Sequence, residues 1–325
     1  MVFAVASCIL VRKTRTAHPA PWAALGTKFR SQSCACVFSA SRASRWPIVH
    51  RLDYRDAARP APLRLDPPEK LKSDLWRALS AQQVGQLEMY FSQLQYWNDR
   101  INLTAIRDEK DIHTKHIEDC LALLPLVRSL VERKGKDPVE VADIGSGAGL
   151  PGIILAIAEP TWCVTLVETR INKCRFLQNC IEDAELRNVR VAKCRAEDFC
   201  MVGSPERGVY DIVTARAVAD LAVLAGITLP AANRHGRVIC MKGPPNVAKL
   251  EVEEAKDVIS RLGGMVDEIV PLTIPGLAAS VTNPKFVKEK KGRKGEGAIR
   301  GPGASSFTLS YEPSQRSAVV LSHQD

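Results

Sequence analysis

No acidic residue occurs before Asp53 in this 325-residue chain. The same stretch carries Arg12, Lys13, Arg15, Lys28, Arg30, Arg42, Arg45 and Arg51. A start rich in Arg and Ser and free of acids has the composition of an organelle transit peptide. Its Ala, Ser and Pro content, without a clear amphipathic Arg face, points to the plastid, with the mitochondrion as the alternative. Long apolar runs are also lacking. None reaches the roughly 18 residues of a membrane helix, so no membrane partner is expected. The C-x-x-C pair is missing as well. The chain has 10 cysteines, but a zinc knuckle usually needs such a pair. Cys163, Cys194 and Cys240 sit in strand-like runs, where a thiol acts as a small hydrophobe. Free thiols and no metal are expected, as in a reducing compartment.

The net charge is +9, but it sits at the ends. The segment before Asp53 contributes +8, and the segment from Lys285 onward holds eight basic and four acidic residues. The body, 53–284, is left at −3. A nucleic-acid surface on the body must therefore be a local patch rather than a global charge.

Composition divides the chain into four parts. Residues 1–65 read as transit peptide and unstructured linker. Residues 66–136 read as a helical extension, in which Val84, Leu87, Tyr90, Phe91, Leu94 and Trp97 make one apolar face at spacings of three and four. A second helix is expected from about Asp111 through Ile117, Cys120, Leu121 and Leu124. Residues 137–280 alternate strand and helix. Strands are expected at 139–144, 162–168, 189–194, 210–215, 237–242 and 265–274. Helices are expected at 151–158, 171–183, 218–229 and 247–262. Strands separated by helices imply right-handed crossovers and a parallel sheet, with ligands at the carboxyl ends of the strands. Residues 281–325 begin with a Lys/Gly-rich stretch of low hydrophobicity and end with the apolar run Ser317-Ala-Val-Val-Leu-Ser322.

The chemistry centres on Val141-Ala-Asp-Ile-Gly-Ser-Gly-Ala-Gly-Leu-Pro-Gly152. This is a strand end, an acid, a loop with alternate glycines and a helix start. Glycine lets a ligand approach the backbone closely. A dinucleotide fingerprint, G-x-G-x-x-G, fails when counted from Gly145 and Gly147, because Leu150 stands where the third glycine belongs. It fits when counted from Gly147, Gly149 and Gly152, two residues later. An NAD-dependent oxidoreductase therefore remains an alternative. Glu168 ends the second strand, where an ionised carboxylate can accept both ribose hydroxyls; dinucleotide sheets and methyltransferase sheets share this device. The turn Arg195-Ala-Glu-Asp-Phe199 follows the third strand, and the backbone at Ala196 and Glu197 can read an adenine edge.

Two further lacks bear on the target atom. After the fourth strand there is no Asn/Asp-Pro-Pro-aromatic motif of the kind used to methylate exocyclic amines; Thr214-Ala-Arg-Ala-Val218 stands there. No Pro-Cys nucleophile for pyrimidine C5 is present. A ring nitrogen such as guanine N7 already carries a free lone pair, so it would need positioning rather than a general base.

The form D-x-G-x-G-x-G, with Asp143 ahead of Gly145, Gly147 and Gly149, resembles motif I of the class I S-adenosylmethionine-dependent methyltransferases. More specifically, the chain resembles the RsmG (GidB) family of small-subunit ribosomal RNA guanine-N7 methyltransferases. Four blocks carry this likeness: Tyr96-Trp-Asn-Asp-Arg-Ile-Asn-Leu-Thr-Ala-Ile-Arg-Asp108, Lys115-His-Ile-Glu-Asp119, Asp143-Ile-Gly-Ser-Gly-Ala-Gly-Leu-Pro-Gly152 and Thr214-Ala-Arg-Ala-Val-Ala219. Lys173-Cys-Arg-Phe-Leu177 and Met241-Lys-Gly243 match too.

The resemblance implies an α/β, Rossmann-like class I methyltransferase sheet with an N-terminal helical extension. It implies S-adenosylmethionine as cofactor, contacted at Asp143, Gly145, Gly147, Gly149, Leu150, Glu168, Ala196, Glu197 and Arg216. The partner it implies is small-subunit rRNA, naked or in the assembled subunit, bound by a monomer. Lys115, His116, Arg216 and Lys242 are the candidates for RNA contact. No catalytic base is assigned; Arg216 and His116 are candidates for positioning the base, and Arg216 could stack on it or hold a phosphate. Asn102 and Thr104 are expected to turn the chain against the Gly-rich loop. A non-catalytic RNA-binding or assembly factor on the same fold is the second alternative. The family closes its sheet with a strand after a P-x-L-x-x-x-R segment. Here Pro275-Gly-Leu277 is followed by the low-complexity stretch, so either Ser317–Leu321 is that strand, displaced by an insertion, or the strand is missing.

Overall fold

The computed structural model describes residues 60–132, 138–216, 219–275 and 316–324. The start of the expected transit segment and the Lys/Gly-rich stretch 285–303 lie outside the described residues.

The strands are β1 (Glu140–Ile144), β2 (Cys163–Glu168), β3 (Val189–Lys193), β4 (Tyr210–Arg216), β5 (Ala232–Lys242), β6 (Gly264–Leu272) and β7 (Arg316–His323). They form one sheet in the order β3-β2-β1-β4-β5-β7-β6. The pairs β1–β2, β1–β4, β2–β3 and β4–β5 are parallel, and β7 runs antiparallel to both β5 and β6. The dinucleotide-binding sheet has the order 3-2-1-4-5-6. Here an antiparallel seventh strand is inserted between the last two, on an otherwise Rossmann-like order. The apolar run near the C-terminus thus supplies an interior strand, and Ala318, Val319, Val320 and Leu321 are fully buried.

Central parallel strands are covered on both faces and so read as continuous apolar runs; every residue of β2 is buried. The strand period of two then sorts side chains by face. Val141, Val164, Leu166, Ile212 and Ile239 belong to one core cluster. Ala142, Ile144, Val167, Val213 and Cys240 belong to the other. The first cluster packs under the N-terminal helices, the second under the helices Leu221–Thr228 and Pro245–Arg261.

The helix α1 (Ala81–Ile101) opens with a capping box between Ser80 and Gln83. Such a cap satisfies two backbone donors at the helix start. Leu87, Tyr90, Phe91, Leu94 and Trp97 of its apolar face are buried, each contributing about 1.5–3 kcal/mol of transfer energy. Gln83 also donates to the carbonyls of Ile157 and Ala158 at 2.9 and 3.0 Å, which fastens α1 to the end of the helix Gly152–Ala158. The second expected helix forms over 109–121, and its middle, His113–Glu118, is π-helical. Single π-turns of this kind are often found at functional sites.

Candidate active site

The Gly-rich loop follows β1 and is held from three sides. The amides of Gly145 and Ser146 both donate to the Val167 carbonyl, at 2.9 and 3.0 Å. Gly147 N–H donates to Glu168 Oε2 at 3.0 Å, and Arg170 N–H donates to Glu168 Oε1 at 2.8 Å. Tyr90 of α1 donates its hydroxyl to the Ala148 carbonyl at 2.8 Å. All three loop glycines have positive φ, 72°, 56° and 84°. A Cβ at Gly149 would also lie 2.5 Å from Ile153 Cδ1, so that side chain would have to shift.

Asp143 supports this loop from behind. Its side chain is fully buried. Oδ1 accepts from Thr214 Oγ1 at 2.9 Å, and Oδ2 accepts from Gly152 N–H at 3.2 Å. Burial pushes its carboxyl up to about 6 against those hydrogen bonds. Asp143, expected among the ligand contacts, is buried and hydrogen-bonded to both the helix start and β4. Leu150 is likewise packed into the core, at 7% exposure.

These hydrogen bonds bear on the kind of ligand. A pyrophosphate is held by free amides at a helix N-terminus. Here the amides of Gly149 and Leu150 donate to the Ser146 carbonyl, and that of Ile153 to Gly149. With Gly145, Ser146, Gly147 and Gly152 also bonded within the protein, most of the loop's amides are taken, and what it offers is mainly shape and close approach. A ligand without phosphate suits it. Glu168 keeps the remaining lone pairs of a carboxylate whose two oxygens each accept one amide.

Ala196 and Glu197 lie in the short helix Ala196–Phe199 beyond β3, where Glu197 is exposed and pairs with Arg195 at 3.3 Å. Arg216 ends β4 on the face covered by the helical extension. Its Nη2 lies 2.8 Å from Asp119 Oδ2 and donates to the Lys115 carbonyl at 2.7 Å. Nη1 lies 3.4 Å from Cys120 Sγ. Burial pushes the Asp119 carboxyl up, and Arg216, then Arg316, pull it back.

His116 is internal, at 6% exposure. Its Nδ1 lies 3.0 Å from the Lys115 carbonyl, which can only accept, so Nδ1 carries the proton. Burial, reinforced by Arg216, holds its pKa down to about 4. In the neutral ring Nε2 is then an acceptor, and Thr104 Oγ1 donates to it at 3.0 Å. Thr104 in turn receives Ile106 N–H at 3.1 Å, and its own N–H donates to Asn98 Oδ1 at 2.8 Å. Asn102 turns the chain in the left-handed region, with φ of 49°. Asn102 and Thr104 therefore build the wall that holds His116. The bond to the Gly-rich loop comes from Tyr90, which the helical period identified only as a core residue.

Lys115 pairs with Asp111 at 2.9 Å and is partly exposed. Lys242, at the end of β5, has Nζ 2.6 Å from Glu251 Oε2 and 3.1 Å from the Ala219 carbonyl. A pocket of about 340 Å³ opens here, bounded by Asp119, Arg216, Met241, Lys242, Glu251 and Arg316. Asp119, Glu251 and Arg316 were not singled out by motif reasoning. Asp119 and Arg316 join the site through partners distant in sequence, Glu251 through Lys242 nine residues before it. Among the described residues, no group of three or more His, Cys, Asp or Glu could hold a metal ion, and no helix is long and apolar enough to cross a membrane. The cysteines at 120, 163, 174, 180, 194, 200 and 240 are free.

Known proteins resemble this chain in sequence. The family model described as rRNA small subunit methyltransferase G, GidB, matches residues 83–275. A protein named ribosomal RNA small subunit methyltransferase G from Roseiflexus sp. (strain RS-1) is 44% identical over 201 residues, covering 61% of this chain and 81% of the relative. Proteins of the same name from Chloroflexus aggregans and Oceanobacillus iheyensis are 42% and 38% identical, each covering 61% of this chain and 79% of the relative. The matched span takes in the Trp97–Thr104 wall, the Gly-rich loop, Glu168, Arg216 and the Lys242 pocket. The chain belongs to the GidB family of rRNA small subunit methyltransferases.

Proposed function

We propose that this protein transfers the methyl group of S-adenosylmethionine to N7 of a guanine in small-subunit ribosomal RNA. The observation that carries this reading is the pairing of two adjoining half-sites. One is a Gly-rich loop whose glycine amides already donate within the protein, beside Glu168, which suits a nucleoside ligand without phosphate. The other is a small pocket at the ends of β4 and β5, lined by cations and carboxylates. Membership of the family supports the substrate class. An oxidoreductase reading is weakened, since the amides of Gly145, Gly147, Gly149 and Gly152 already donate within the protein.

Glu168 would hold the ribose hydroxyls, the turn at Ala196 and Glu197 would face the adenine, and the loop 145–149 would pack against the amino-acid part. S-adenosylmethionine supplies a methyl group on a sulfonium sulfur, which the N7 lone pair attacks in line, so that the C–S bond breaks as the N–C bond forms. The protein need not take a proton, because N7 has none to lose. This agrees with the state of His116, which is neutral, saturated with hydrogen bonds and unable to serve as a base. The task of the residues is orientation, an effect that can supply a large share of a barrier reduction. Arg216 is tied to Asp119 and the Lys115 carbonyl, and so sets the boundary between the two half-sites.

The acid-free, Arg-rich start of the chain supports an organellar site of action, the plastid before the mitochondrion. The test is transfer of labelled methyl to small subunits and to naked small-subunit rRNA, followed by mapping of N7-methylguanine through chemical cleavage. A single cleavage at a guanine is expected. Absence of transfer to both substrates would overturn the reading and favour an assembly factor without activity.

A further inference from the structure

The Lys242–Glu251 pair has a position and polarity that methyl transfer alone does not explain. Lys242 ends β5 and Glu251 lies on the helix Pro245–Arg261. The side chain of Lys242 is 9% exposed and that of Glu251 29%, and the two meet at 2.6 Å on the wall of the pocket. Lys242 is nearly enclosed and loses much of its hydration, which is costly unless further partners satisfy it, while Glu251 stays partly open. Lys242 has three N–H donors. Glu251 and the Ala219 carbonyl account for two of them. Glu251 meets Lys242 through Oε2, and a carboxylate has a second oxygen to offer.

The register of the sheet places this pair beside the cofactor half. Ile144 of β1 pairs with Ala215 of β4, and Arg216 of β4 pairs with Met241 of β5. Lys242 therefore stands two strands from the Gly-rich loop, about 10 Å at the usual strand spacing. That distance suits a base whose one edge faces the methyl group while another edge meets the pair. A volume of about 340 Å³ lies at the low end of the range for small-ligand sites, as a single flipped-out base would need.

Resting on the guanine-N7 reading above, we propose that Lys242 and Glu251 together read the guanine, with Lys242 donating to O6 and Glu251 accepting from N1–H. Guanine presents an acceptor at O6 beside a donor at N1. The pair presents a donor beside an acceptor. Adenine has the opposite polarity, with a donor amine at C6 and an acceptor at N1, and would meet like against like at both atoms. Buried groups left unpaired in this way give strong rejection. The contact also strengthens as the reaction proceeds. Positive charge developing on the purine makes N1–H more acidic, so its bond to Glu251 gains in the transition state, which is where a gain in binding raises rate. Glu251 is then a specificity residue that also contributes to kcat.

The experiment uses full-length protein and small-subunit RNA ligated to carry guanosine, inosine or 2-aminopurine at the methylated position. Inosine keeps O6 and N1–H; 2-aminopurine lacks O6 and has an acceptor at N1. The wild-type protein should methylate the inosine RNA within about threefold of guanosine, and the 2-aminopurine RNA at least about 10–100-fold less well, the discrimination of one good two-point contact. Glu251→Ala should lower kcat/KM for guanosine by about 10–100-fold and narrow the guanosine to 2-aminopurine ratio, with the Kd for S-adenosylmethionine unchanged. Glu251→Gln keeps an acceptor and should lose less. Lys242→Met should narrow the same ratio. Equal methylation of guanosine and 2-aminopurine by the wild type overturns the proposal without needing any variant to fold. So does an unchanged ratio in Glu251→Ala and Lys242→Met while the wild type discriminates. If the wild type transfers no methyl group to guanosine RNA, the underlying methyltransferase reading fails, and the proposal with it.

Discussion

Arg216 Nη2 lies 2.8 Å from Asp119 Oδ2, and the same nitrogen donates to the Lys115 carbonyl at 2.7 Å. This joins the end of β4 to the π-helical stretch of the N-terminal extension. The Lys115 carbonyl is also the acceptor for His116 Nδ1. One carbonyl oxygen therefore links the arginine between the two half-sites to the histidine held by the Asn98–Thr104 wall.

Removing Asp119 leaves a buried guanidinium without its carboxylate. Breaking such a pair costs about 3–5 kcal/mol. Asp119→Ala should lose stability on that scale in urea titration, and Arg216 should lose its orientation, so methyl transfer should fall with it. A loss under about 1 kcal/mol would show that solvent already compensates Arg216.

Glu168 accepts one amide on each oxygen. Glu168→Gln turns one acceptor into a donor that faces an N–H. An unsatisfied group of this kind costs about 1–3 kcal/mol. The Kd for S-adenosylmethionine, measured by calorimetry, should rise by about tenfold or more as the loop shifts and a ribose acceptor is lost. Binding at wild-type affinity would remove Glu168 from the site.

Gly149 combines a φ of 84° with a Cβ position 2.5 Å from Ile153 Cδ1. Gly149→Ala should cost about 1–2 kcal/mol for the left-handed backbone and about 1–3 kcal/mol for overpacking. The melting temperature should drop, and cofactor binding should weaken even in the fraction that stays folded. An unchanged melting temperature would contradict the close packing of this turn.

The two buried titratable groups near the site act in opposite directions below pH 6.5. The pKa of His116 falls from 6.5 to about 4 on folding. Between those values the unfolded chain binds the proton and the folded chain does not, so this group costs stability as pH falls from 6.5, with the full cost reached below 4. Asp143 rises from 3.8 to about 6. Its folded form holds the extra proton, so its contribution is present at low pH and is lost as pH rises through 6. Each is worth roughly 3 kcal/mol at full extent. His116→Gln should therefore gain on the wild type as pH falls from 6.5 to 4, while Asp143→Asn should lose its difference from the wild type towards low pH. Parallel stability curves for wild type and His116→Gln over that window would show that His116 titrates normally.

Much of this was legible in the chain itself. The expected strand 210–215 differs from β4 by one residue, and the expected helix 171–183 coincides with Ile171–Asp183. Apolar runs of strand length, the helical period and the glycine spacing are local, and local geometry enforces them. The second helix was less well read. It ends at Leu121 rather than running on through Leu124, and its π-helical middle has no simple sequence period. Lys242 and His116 carried a residue type and a family block, but not a direction. Both turned out to be largely enclosed by partners contributed from elsewhere in the chain.

The sequence by itself determined the alternation of strand and helix, the loop that admits a ligand, the acid that follows it at the end of β2 and the family. Each depends on neighbours within a few residues or on blocks of fixed spacing. Only the tertiary structure decided that the run after Arg316 enters the sheet between β5 and β6, that Asp143 ties the end of β1 to Thr214 and to the helix start at Gly152, and that Asp119, Arg216, Lys242, Glu251 and Arg316 surround one pocket. The reason is physical. A buried charge or an unpaired strand edge must find a partner somewhere, but the partner can be a hundred residues away. Which one it takes depends on how the whole chain packs.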